Sequence, residues 1–150
     1  MSESLAESVS LEQAKRLFEG SPHGALLGLE LVELGESYLI ARVPYRPELV
    51  GNPETGHMHG GVITTLIDQS CGAAVIRQAG PDARIVTLDL RVDHVRPAEP
   101  GRAVYARCEC YRMAREVAFA RAVAYDTDPD RPVATSMSAF MRLQEESARG

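Results

Sequence analysis

An aspartate interrupts a stretch of chain otherwise suited to complete burial. From Gly60 to about Ala79 the sequence carries Val62, Ile63, Leu66, Ile67, Cys71, Ala73, Ala74, Val75 and Ile76. Apolar residues fall on most of the helical circumference, the mark of a helix enclosed nearly all round. Asp68 lies in its middle. Burying an unpaired carboxylate is costly, so it must be paired, neutralised or facing a cavity. Its neighbours one turn away, Thr64, Thr65, Cys71 and Gly72, are all small, which leaves room for a substrate or a second subunit. A carboxylate so placed can serve as a general base or a nucleophile. The plainer reading is a helix-face aspartate hydrogen-bonded to Thr64 or Thr65.

Gly60-Gly61 opens the same helix, directly after His59. Free N–H groups at a helix start point outward with the positive end of the dipole, and glycine lets a ligand approach closely. That is the geometry of an oxyanion site, where one donor is worth about 10²–10³ in rate. The plainer reading is a tight turn. Two other chemistries have less behind them. His57 and His59, with His23 or His94 elsewhere, do not make a zinc pattern, so no metal is expected. Cys71 as a nucleophile has no histidine placed in sequence to activate it, and a small buried thiol is the commoner role.

The elements that must hold these residues are read from periodicity. Ser10 and Gln13 have capping-box spacing and open a helix to about Glu19, with Leu11, Ala14, Leu17 and Phe18 on one face. Ser21-Pro22-His23-Gly24 is expected to end it. Strands near Leu29–Leu34 and Ser37–Pro44 turn at Gly35-Glu36. Residues 46–57, with two prolines and two glycines and no period, read as a loop of functional length. After Gly80-Pro81 the period becomes two. In Ile85–Val92, Val86, Leu88, Leu90 and Val92 alternate with Thr87, Asp89 and Arg91. Val104–Tyr111, Val117–Tyr125 (bulky residues alternating with four alanines) and Val133–Met141 complete a set of half-buried antiparallel strands. A sheet curled around one apolar helix satisfies this order, an α+β arrangement.

The chain is 150 residues long, enough for one domain with a real core. Residues 1–9 and 144–150 are expected to be loose. The start MSESLAESVS lacks a basic n-region and an apolar run, and nothing approaches a membrane-spanning length. Cys71, Cys108 and Cys110 make an odd count without framework spacing, which reads as free thiols and a cytoplasmic location. A net charge of -5 argues against general nucleic-acid binding. Residues 84–121 nevertheless hold eight arginines against five acids. A basic region on an acidic protein can meet an anionic ligand, though solvated strand faces are the plainer explanation for any single arginine.

His59-Gly60-Gly61, then Leu66 and Asp68, then Gly72 and Ala74, resembles the signature of the hotdog-fold thioesterases, in their phenylacetic-acid-degradation subgroup. Val86-Thr87-Leu88-Asp89-Leu90, Arg96-Pro97-Ala98, Pro100-Gly101 and the closing Val133-Ala134-Thr135 extend the resemblance over residues 24–142. It implies a hotdog fold and hydrolysis of acyl-CoA thioesters carrying aryl or short- to medium-chain acyl groups. Asp68 takes the position of the family's carboxylate, Gly60 that of its carbonyl-polarising amide, and His59 that of the adjoining histidine. Thr87 falls where a hydroxyl helps orient water. Relatives carry Asn or Gln at the position of Pro53, and Asn52 is one residue away. The family's site forms between subunits, Asp68 and Thr87 from one and His59 and Gly60 from the other, which implies a homodimer or a dimer of dimers. Coenzyme A would be part of the substrate, with no further cofactor. Gly61 would meet it at the helix end, and Arg112 and Arg115 would lie near its phosphates. A hotdog enoyl-CoA hydratase and a non-catalytic acyl-CoA binder are the alternatives.

Overall fold

The computed structural model describes residues 10–144. Apart from Gln144, the two ends expected to be loose lie outside the described residues. Helix α1, Leu11–Glu19, opens on the expected capping box: Gln13 N–H donates to Ser10 Oγ and Ser10 N–H to Gln13 Oε1. Its buried residue is Phe18, while Leu11 and Leu17 are exposed. Ser21 does not end this helix so much as begin another. Its Oγ accepts from Gly24 N–H, Pro22 takes the first helical position, and α2 runs Pro22–Leu27. Gly24 is buried against α3, where a Cβ would fall 2.8 Å from the Gln69 carboxamide.

Strands β1, Glu30–Leu34, and β2, Leu39–Val43, form the first hairpin. Residues 46–57 are more ordered than their lack of period suggests. A 3-10 turn at Pro47–Leu49 leads into β3, Val50–Asn52, which pairs with β4, His57–Met58. Helix α3, Gly60–Ala79, has the bounds expected of it. Four long strands come next: β5, Arg84–His94; β6, Val104–Met113; β7, Val117–Tyr125; and β8, Ala134–Leu143.

These four and the first hairpin form one antiparallel sheet in the order β1-β2-β6-β7-β8-β5, and α3 lies across its concave face. This is the hotdog arrangement. The four alanines of β7, Ala118, Ala120, Ala122 and Ala124, are the ones buried beneath the helix. The bulkier residues between them face outward. Small residues on the sheet let α3 approach, so its own Ile63, Leu66, Ile67 and Val75 fill the core.

An irregularity in β5 re-aims one side chain. Strict alternation along the strand would put Thr87 on the face opposite Leu90. The register slips between Thr87 and Asp89: Thr87 pairs with Phe140, Asp89 with Ala139 and Leu90 with Ser138. Leu88 is the extra residue of a bulge. Thr87 therefore shares the helix-facing side with Leu90 and Val92.

Candidate active site

Helix α3 is buried along most of its length, yet Gly61, Thr65 and Asp68 form a stripe that stays accessible beside β5. Asp68 is half-buried rather than sealed in. Its partner is neither Thr64 nor Thr65, whose hydroxyls donate to the backbone carbonyls of Gly60 and Gly61. Instead Thr87 Oγ1, turned inward by the bulge, donates to Asp68 Oδ1 at 2.9 Å. Oδ2 has no partner among the described residues. The result is a carboxylate steadied on one oxygen and open on the other, at the rim of the sheet.

The start of α3 is built by its neighbours. His59 N–H donates to Leu49 O, and Gly51 packs so closely that a Cβ there would lie 3.0 Å from His59 Cα. His59 is the N-cap: its Nδ1 accepts from Gly61 N–H at 2.9 Å, and its carbonyl accepts from Val62 N–H. With Nδ1 an acceptor, the neutral ring carries its proton on Nε2. Gly61 and Val62 are thus satisfied, whereas Gly60 N–H has no partner among the described residues. That amide is the free donor at the positive end of a 20-residue helix.

Gly60 and Asp68 are eight residues apart, about 12 Å along a helix axis. A carbonyl and the group attacking it must lie within about 3–3.5 Å of each other. The Asp68 carboxylate therefore lies beyond direct attack on a carbonyl held by the Gly60 amide of its own chain.

The other expected residues lie farther from this carboxylate or are committed elsewhere. Asn52 is occupied locally: its Oδ1 accepts from Glu54 N–H and its carbonyl from Gly56 N–H, which closes the β3–β4 hairpin. Cys71 has 0% exposure, buried within α3, so the nucleophile reading of that thiol fails on access. Burial holds the pKa of the Cys108 thiol above its ordinary value. The basic stretch is largely accounted for within the molecule. Arg91, Arg96, Arg102 and Arg121 pair with Asp93, Asp126, Glu99 and Glu109, and Arg107 stacks over Tyr38. Arg112 and Arg115, at the β6–β7 turn, are exposed and without an ion pair among the described residues. Met113 shares a cross-sheet row with Ala118, Phe140 and Thr87. Three strand spacings, about 14 Å, separate this turn from the carboxylate's partner.

Two features escape a reading of the sequence. Arg96 makes a two-pronged ion pair with Asp126, at 3.0 and 2.7 Å, and also donates to Arg131 O. The Arg96 guanidinium, helped by Glu99 N–H, holds the Asp126 carboxyl well below the usual carboxylate range. Arginine and aspartate thirty residues apart give no local signal. The second is His94, which ends β5 beside Gly60. A histidine closing the strand that carries Thr87 was the available clue.

A curled antiparallel sheet around one helix is the hotdog arrangement, and here it carries a carboxylate at mid-helix and a free amide at the helix start. The thioesterase superfamily model matches residues 55–133, and the chain belongs to that family. A relative from Halobacterium salinarum, named provisionally as an esterase, is 39% identical over 82 residues, which is 51% of this chain and 54% of its own length. The chain thus aligns with about half of that relative. The medium/long-chain acyl-CoA thioesterase YigI of Salmonella typhimurium is 29% identical over 71% of this chain and 77% of its own. A crystal structure of a Pseudomonas aeruginosa protein superimposes with a TM-score of 0.78 at 44% identity, covering 89% of this chain and 98% of the other.

Proposed function

We propose that this protein hydrolyses acyl-CoA thioesters to the free acid and coenzyme A, at sites shared between two copies of the chain. The observation that carries the reading is the pairing of an open, threonine-held carboxylate with a free helix-start amide about 12 Å away along the same helix, beyond direct attack on one carbonyl within one chain. The Gly60 N–H of one subunit holds the thioester oxygen, and Asp68 of the other drives attack as a base for water or as a nucleophile. His59 positions Gly60 by capping the helix, and Thr87 orients Asp68. The Asn52 carboxamide nitrogen, without a partner among the described residues, is a further substrate contact in this scheme. Coenzyme A enters as part of the substrate, and no metal or further cofactor is called on.

Strand β5 supports the two-chain arrangement. It is 11 residues long and ends the sheet with an unpaired edge, a liability in a lone subunit. Antiparallel pairing with its copy, centred on Arg91 and with the Leu88 bulge absorbing one residue, sets His94 and Gly60 of one chain opposite Thr87 and Asp68 of the other. A homodimer, or a dimer of dimers, is the assembly that results. Three unpaired thiols fit a reducing, cytoplasmic setting, and no helix among the described residues is long and apolar enough to cross a membrane.

The test is thiol release from a panel of aryl, short-, medium- and long-chain acyl-CoAs by wild type and Asp68→Asn, which keeps shape and removes charge. Turnover by wild type and a loss of about 10²-fold or more in kcat in the variant are expected. An inert wild type, or an equally active variant, overturns the reading. In this scheme Gly61 meets the coenzyme A arm at the helix end, and Arg112 and Arg115 meet its phosphates. Replacing either arginine with alanine raises KM more than it lowers kcat; an unchanged KM removes that residue from the contact.

A further inference from the structure

The Gly60 amide is a single donor, and a developing oxyanion is held far better by two. His94 stands next to it. Paired with the buried Ala134, it lies on the helix-facing side of β5. A Cβ built on Gly60 would fall 3.4 Å from His94 Cε1 and 3.8 Å from each ring nitrogen. Neither nitrogen has a hydrogen-bond partner among the described residues, and the side chain is exposed. His59, the other histidine at this corner, already spends Nδ1 on Gly61. An uncommitted imidazole thus flanks the one uncommitted amide, both on the same chain and both at the helix's positive end.

We propose that His94 is the second hydrogen-bond donor to the thioester carbonyl oxygen, acting beside Gly60 of its own subunit. This rests on the thioester-hydrolase reading of the site. A neutral imidazole carries one N–H, enough to meet an oxygen that Gly60 already holds. Because charge on that oxygen grows toward the tetrahedral intermediate, the donor stabilises the transition state more than the bound substrate. Its loss lowers kcat and leaves KM nearly unchanged.

The experiment compares kcat and KM of wild type, His94→Leu and His94→Gln on whichever acyl-CoA the wild type turns over best, with Asp68→Asn alongside. Glutamine keeps an N–H and does not titrate; leucine offers none. His94→Leu is expected to lose about 10²-fold in kcat, with His94→Gln retaining most of that activity. If leucine melts below the assay temperature, His94→Ala takes its place. Wild-type kcat in the leucine variant overturns the proposal, as does an equal loss in both variants or a loss confined to KM. The two readings fail separately: an inert wild type removes the hydrolase and an active Asp68→Asn removes its carboxylate, whereas an active His94→Leu beside an inactive Asp68→Asn removes only this donor.

Discussion

At the residue scale, the proposed chemistry turns on how one carboxylate is held. Thr87 steadies Asp68 Oδ1 with a charge-assisted hydrogen bond and leaves Oδ2 without a partner among the described residues. Thr87→Val keeps the shape and deletes the donor. Its kcat on a good thioester is expected to fall roughly 10-fold with KM little changed, since a bond to a charged group is worth about 1.5–3 kcal/mol. An unaltered kcat would show the hydroxyl to be a bystander. Asp68 and Gly60 are legible because a carboxylate in an apolar helix and two glycines at its start are chemically odd in any sequence. The capping by His59 is not, because Ser, Thr, Asp and Asn dominate that position. Asn52 reads as a substrate contact, but its oxygen is taken by an Asx turn that neither residue type nor spacing reveals.

At the scale of elements, period alone locates α3 and the four long strands, and misses what the strands do to one another. Alternation identifies β5 but cannot reveal the extra residue at Leu88, because a bulge is set by pairing with β8. That single residue decides whether Thr87 meets Asp68 or faces the opposite side. The alanines of β7 mislead in a similar way: a strand's bulky residues are the natural candidates for its core side, until a large-residue helix claims the space. The Arg96–Asp126 pair ties the β5–β6 connection to the β7–β8 loop, with the Asp126 side chain only 2% exposed. Asp126→Asn leaves Arg96 without its counter-charge and is expected to cost about 3 kcal/mol in urea unfolding at pH 7. A depressed carboxyl stabilises fully above its unfolded value of about 3.9, and that contribution fades as pH falls through this value toward the folded one. The gap between wild type and variant therefore narrows between about pH 5 and pH 3, the range where an unfolded aspartate titrates. A gap independent of pH would assign the loss to packing instead.

At the scale of the molecule, the sheet ends at β5 and the two halves of the chemistry sit about 12 Å apart on one helix. The proposed pairing of two β5 edges about a two-fold axis would answer both facts at once, covering an exposed edge and bringing each amide to the other chain's carboxylate. The direct measurement is made on a heterodimer. One chain carries Asp68→Asn; the other carries Gly60→Pro, which deletes the amide proton at a helix position that tolerates proline, after a residue already extended (His59, φ -61, ψ 133). Each variant alone is expected to be nearly inactive. Co-expressed with different affinity tags and purified through both, the mixed dimer has one site with a native Asp68 and a native Gly60. It should recover about half the wild-type kcat per dimer. A mixed dimer as inactive as its parents would contradict the shared site.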